Sequence, residues 1–284
     1  ARQGAKMNEH DEGLARDLDA LGRRRVLLGG AGLAATTLLA AWGSDFGYAG
    51  LFGGSAAPVA AVPASGVGPA GVCYESAEET EGPYPADGSN TAGGQVADIL
   101  GAAGLRRSDL RASFGGATGV AVGVPVRLKL RLVHVNGACA PLAGHAVYVW
   151  HCDREGLYSI YDLPARNYLR GVQETDANGE VEFTTIFPGC YLGRMPHIHV
   201  EVYRSGAAAT SFRNKLKTTQ IALPAEVCGA VYATAGYAKS AANLAQISFA
   251  TDAVFADGTA TEMATVTGNA TGGYTVALPL GIQA

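Results

Sequence analysis

The chain has 284 residues, 48% of them hydrophobic and 16% charged, with 39 glycines. That is long enough to bury a sizeable core, and the texture is that of a loop-rich globular protein, not a disordered one. A formal net charge of −4 argues against a nucleic-acid binder, whose affinity rests on Lys and Arg neutralising phosphates.

The first element is not part of the fold. Arg23, Arg24 and Arg25 precede an apolar stretch from Val26 to about Trp42 that is rich in Gly, Ala and Thr. Basic residues, then a mildly apolar run, then small residues is the order of a signal peptide. The paired arginines favour the twin-arginine type, carried in a leader over residues 1–44. A membrane anchor would need roughly 20 strongly apolar residues. The expectation is therefore an exported protein, periplasmic or extracellular, with no stable anchor after cleavage. Met7 is a candidate native start. Residues 45–72 are Gly, Ala and Pro with almost no charge, the composition of a linker.

From Cys73 to residue 284 short alternating runs take over. "VPVRLKLRLVHV" (Val124 to Val135) predicts a strand with one buried face. "AVYVWHCD" (Ala146 to Asp153) predicts another, ended by "REG". "TDANGEVEFTTI" carries an Asn-Gly hairpin signal. "PHIHVEVYR", "KLKTTQIAL" and "GNATGGYTVALPL" add further strands, and "AEVCGAVYATAGYAKS" has helical character. The sum is an all-β chain, a β-sandwich with long decorated loops. An exported chain meets oxidising conditions, so Cys73, Cys139, Cys152, Cys190 and Cys228 can form one or two disulfides, whose connectivity the spacing leaves open.

His197 and His199 are two apart on a predicted strand, so both imidazoles point to one face and Ile198 to the other. Alone, such a pair is more often a surface or hydrogen-bonded pair than a metal site. Tyr191 stands just before it and Tyr158 just past the "VYVWHC" strand. Two phenols and two imidazoles meeting at one point would suit a hard trivalent cation such as iron. A phenol titrates near pH ~10, so it needs a strong local charge to ionise at neutral pH.

"VWHCDREGLYS", "YLRGVQETDANGEVEFTTIFPGCYLGRMPHIHV" and "TTQIAL" resemble successive signature segments of the intradiol ring-cleavage dioxygenases. The likeness extends upstream to "CYESAEETEGPYPADG", and the leader is similar to the start of exported bacterial members. The resemblance implies a non-haem Fe(III) held by Tyr158, Tyr191, His197 and His199. It implies cleavage of a catechol-type ring by O2 to a cis,cis-muconate-type diacid, with Tyr191 accepting a substrate proton. Arg194 matches the arginine over the bound ring and Gln220 its hydrogen-bonded partner. Pro83 and Tyr84 match a segment lining the ring cavity. Two positions depart from the family. Cys190 stands where an aromatic is frequent, and a disulfide there would stiffen the loop. Gly193 stands where protocatechuate enzymes carry a tryptophan, which suggests a more open site. Oligomeric state stays open. The alternatives are a non-catalytic β-sandwich binding module and a metal-binding protein without turnover.

Overall fold

The computed structural model describes residues 73–284, so the leader and linker expected over residues 1–72 lie outside the described residues. Two antiparallel-rich sheets stack face to face, as the alternating runs predict. In the first, β3 (Pro125–His134) lies centrally. It pairs in parallel with β11 (Gly273–Ile282) and antiparallel with β7 (Glu180–Ile186) and the short β4 (Ala140–Pro141). β10 (Thr265–Asn269) forms the outer edge beside β11. The second sheet has the order β6 (Arg170–Glu174), β5 (Ala146–Trp150), β8 (His197–Tyr203), β9 (Lys215–Ala222).

The pleat explains the stacking. On β3, Val126, Leu128, Leu130 and Leu132 point inward, while Arg127 and Lys129 reach out to Glu182 on β7. The inward set meets Val147 and Val149 of β5, Ile198, Val200 and Val202 of β8, and Ile221 of β9 in one core. Each such side chain contributes about 1.5–3 kcal/mol by leaving water. β5 and β8 are buried along their whole length. One face of each meets the sandwich core; the other is covered by loops, and this loop-covered face carries the odd-numbered residues of β8.

One expected pairing is corrected, and the cysteine connectivity is settled. The Asn-Gly turn forms, with the Gly179 amide donating to the Asp176 carbonyl, but its flanking strands do not pair as a hairpin. β6 joins β5 and β7 joins β3, so the turn carries the chain from one sheet to the other. Of the five cysteines, Cys73 and Cys139 form a disulfide, and Cys152, Cys190 and Cys228 are buried free thiols. The 190 loop is stiffened by hydrogen bonds, not by a disulfide. A hairpin not expected from the sequence, β1 (Asp87–Ala92) with β2 (Gln95–Asp98), also forms.

The helices occur where helical character was expected, as α1 (Ala225–Tyr232) and α2 (Ala238–Leu244). They clamp the segment leading to Tyr191. Tyr232 Oη donates to the Pro188 carbonyl and Tyr237 Oη to the Phe187 carbonyl, both at 2.9 Å. Ser240 Oγ accepts from the Cys190 amide at 2.9 Å, and the Asn243 side-chain amide donates to the Cys190 carbonyl at 2.8 Å. Among the described residues no helix is long and apolar enough to cross a membrane.

Candidate active site

β8 alternates Ile198, Val200 and Val202 into the core, so His197, His199, Glu201 and Tyr203 share the opposite face. His197 Nδ1 lies 2.6 Å from the Met195 carbonyl oxygen. That oxygen can only accept, so Nδ1 carries the proton and Nε2 presents its lone pair. His197 Nε2 and His199 Nε2 are 3.0 Å apart. Trp150, directly across the ladder from His199, stacks flat on its ring at 4.8 Å and fixes its plane. Burial holds both imidazoles well below their usual titration range, helped at His197 by the Arg194 charge and at His199 by His197. Both are therefore neutral.

The tyrosines come from two loops packed backbone to backbone. A Cβ on Gly189 would lie 2.6 Å from the Asp153 carbonyl oxygen, and one on Gly156 would lie 3.1 Å from Tyr191 Cβ. Only glycine permits this approach, and Gly156 also has φ of 84°. The turn after β5 thus lays Tyr158 beside Tyr191, with ring centroids 5.8 Å apart. Tyr191 Oη lies 3.3 Å from His197 Nε2. Tyr158 is fully buried, and its Oη has no hydrogen-bond partner among the described residues. Burial first, and the Tyr191 phenol second, push Tyr158 well above the usual range.

Arg194 is wholly buried. Its Nε lies 3.1 Å from each carboxylate oxygen of Asp252, and its Nη2 donates to Gln220 Oε1 at 2.6 Å. Gln220 stands opposite His199 on β9, and its Nε2 donates to the Thr80 carbonyl at 2.9 Å. Tyr84 stacks on Tyr158 at 4.5 Å. Pro83 is half-buried, and its carbonyl accepts from the Asn90 side-chain amide. The structure therefore brings together Tyr158, Tyr191, His197, His199, Arg194, Gln220 and Tyr84, with Pro83 next to Tyr84 in the chain. His151, despite its place beside Trp150, is not of this group. Its ring nitrogens bond the Cys152 carbonyl and Thr185 Oγ1, both at 2.7 Å.

Residues 101–265 match the family model described as Dioxygenase. An intradiol ring-cleavage dioxygenase from Tetranychus urticae superposes with a TM-score of 0.57 at 25% identity, over 74% of this chain and 94% of that one. A second solved dioxygenase gives 0.56 at 25% identity over the same shares of the two chains. The chain belongs to the intradiol ring-cleavage dioxygenases. No curated protein matches its sequence.

The atoms of the dioxygenase site fit a bound metal. Among the described residues no group of three or more His, Cys, Asp and Glu converges, and the donors that meet here are two imidazoles and two phenols. Two neutral imidazoles bring their Nε2 atoms together beside the Tyr191 phenol, and the buried Tyr158 Oη has no hydrogen-bond partner among the described residues. The set fits a hard, highly charged cation. Three contributors to the dioxygenase site were not expected from sequence: Trp150 as the plate under His199, Asp252 as the carboxylate on Arg194, and Phe255. The Phe255 ring lies 5.6 Å below the Arg194 guanidinium and 6.1 Å from the His197 ring.

Proposed function

We propose that this dioxygenase holds a non-haem Fe(III) on Tyr158, Tyr191, His197 and His199, and opens a catechol-type ring between its two hydroxyl-bearing carbons. O2 is the co-substrate and a cis,cis-muconate-type diacid the product. The observation that carries the proposal is the meeting of two phenols and two facing imidazole nitrogens beside one fixed guanidinium. Ferric iron, when bound, would supply the charge that ionises the phenols and draws electron density from a catecholate.

The chain's own groups divide the remaining work. Tyr191 is the more exposed of the two phenols, and its Oη takes the proton of one substrate hydroxyl. Tyr158 stays buried under Tyr84 and would be ionised only while the ferric ion is bound. The Arg194 charge faces the ring carbon on which negative charge grows, and it costs no reorganisation because Asp252 and Gln220 already hold the guanidinium. Gly193 leaves the side of the pocket open, which suits larger or polymer-derived catechols. Export by the twin-arginine route belongs to the same proposal. That route carries folded proteins, which lets iron be inserted before the chain leaves the cytoplasm.

The test is a visible spectrum of the purified protein, with iron content, before and after adding catechol, protocatechuate and hydroxyquinol. A red-brown protein whose band shifts with one of them, and which then consumes O2, supports the proposal. A colourless, iron-free protein makes it a binding module; a coloured one indifferent to catechols makes it a metal carrier. The export claim is read separately, by locating the wild-type chain and a variant with Arg24 and Arg25 both replaced by lysine.

A further inference from the structure

Asp252 lies 58 residues from Arg194 in sequence, yet both are wholly buried and their side chains meet face on. Five N–H contacts end on this one carboxylate. Its Oδ1 accepts from the amides of Val254 at 2.8 Å and Phe255 at 3.0 Å. Its Oδ2 accepts from the Met195 amide at 2.6 Å. Arg194 Nε is shared between the two oxygens at 3.1 Å. The peptide that donates to Oδ2 leads directly to the histidine pair, because the carbonyl of the same Met195 accepts from His197 Nδ1.

We infer that Asp252 is a positioning residue of this dioxygenase, one carboxylate that sets both the Arg194 guanidinium and, through Met195, the direction of His197 Nε2. Several features lead to this assignment. The carboxylate has no water-exposed role, since it is wholly buried. Among the described residues, the donors to its carboxylate come from two segments, residues 194–195 and residues 254–255. Gln220 holds the guanidinium at a second nitrogen, Nη2, so Asp252 and Gln220 together leave it one orientation. The Phe255 ring, held against Arg194 and His197, is carried by the same turn that Asp252 closes with its own side chain. An acceptor-only group is required. In an asparagine, whichever way the amide is turned, its NH2 would point at Arg194 Nε and at a backbone N–H.

This inference rests on the ring-cleavage reading above, and the experiment separates the two. Wild type, Asp252→Asn, Arg194→Lys and the double variant are compared for iron per chain, for anaerobic catechol affinity read from the visible band, and for O2 uptake. The expected result is a roughly 10²-fold loss of kcat/KM in Asp252→Asn. In the Arg194→Lys background the same change should cost only about 10-fold, the part that runs through Met195 to His197, because the rest of its effect acts on the guanidinium already replaced. A loss of equal factor in both backgrounds, or a change in melting temperature with kinetics intact, would show a merely structural residue and overturn the inference. If Asp252→Asn fails to fold, Asp252→Glu decides. It retains the charge pair but shifts it by one methylene, and is expected to hold iron while losing catechol affinity and turnover; wild-type behaviour overturns the inference. A wild-type protein without iron or catechol turnover sinks the functional reading instead.

Discussion

His197 Nε2 and His199 Nε2 lie 3.0 Å apart on one face of β8, with Tyr191 Oη 3.3 Å from the first of them. A β-strand places side chains two apart on the same side, so this closeness is set by the backbone and needs no distortion. Replacing either histidine by alanine should remove the bound iron. Tyr191→Phe should keep part of it but lose much of the visible absorption and the turnover. Metal analysis and a visible spectrum of the three variants check this. An unchanged band and rate in Tyr191→Phe would remove that tyrosine from the mechanism.

Tyr158 yields a prediction with opposite signs in two states. Its Oη is buried without a partner, and such a group costs about 1–3 kcal/mol. In iron-free protein Tyr158→Phe should therefore be neutral or raise the melting temperature, since the phenylalanine keeps the stacking against Tyr84. With iron supplied, the wild type should gain stability that the variant does not. Melting curves of both proteins, with and without ferric ion, measure this. A lower melting temperature for iron-free Tyr158→Phe would mean that the hydroxyl is satisfied in the apo protein.

The histidine pair and the two tyrosines beside it could be read from strand period and from their places at strand ends, whereas Arg194 and Gln220 came only from the likeness to the dioxygenase segments. Legible too were β3, β5, β8, β9 and β11, whose alternating or β-branched runs match what their faces bury. Asp252 was not legible. It sits in "ATDAVFAD", a loop stretch with no period, and its meaning comes only from a partner 58 residues away. Trp150 read as strand core because β5 is buried on both faces, and a sequence does not say which covering is the site. The Asn-Gly turn misled on pairing for a similar reason. A tight turn fixes a chain reversal, while the choice of partner strand depends on where Val181 and Phe183 find their core.

Glu201 continues the His197–His199 row, wholly buried, with Tyr203 Oη donating to it at 2.6 Å and Lys215 Nζ 3.3 Å away. Burial first, then the nearby Asp87 charge, raises its carboxyl to about 8. The folded chain then holds a proton that the unfolded chain, with an ordinary carboxyl near 4.5, has released. Stability from this group is thus complete below pH ~4.5 and falls as pH rises through ~8. Glu262, also raised to about 8 chiefly by burial, adds a slope of the same sign. Glu201→Gln mimics the protonated form and should flatten the decline between pH 5 and 8 by about one proton. Melting temperature against pH for the two proteins measures it; equal slopes would show Glu201 to be ionised throughout.

The cysteines divide into two classes with different chemistry. Cys73–Cys139 closes a loop between residues 66 apart in sequence, which in the chain-entropy account stabilises by about 4 kcal/mol. Cys190 is in the loop that carries Tyr191, Cys228 is on α1 and Cys152 follows β5, and all three are buried free thiols. Burial pushes the Cys190 thiol up to about 12 and raises the other two as well, so none offers a thiolate at neutral pH. A colorimetric thiol reagent should therefore find no reactive thiol in the native protein and three after denaturation without reductant. Mild reduction should lower the melting temperature without bleaching the iron band, because the disulfide is remote in sequence from the four donors. Native reactivity at Cys190 would show that the 187–194 loop opens, and would bring the position of Tyr191 into question along with it.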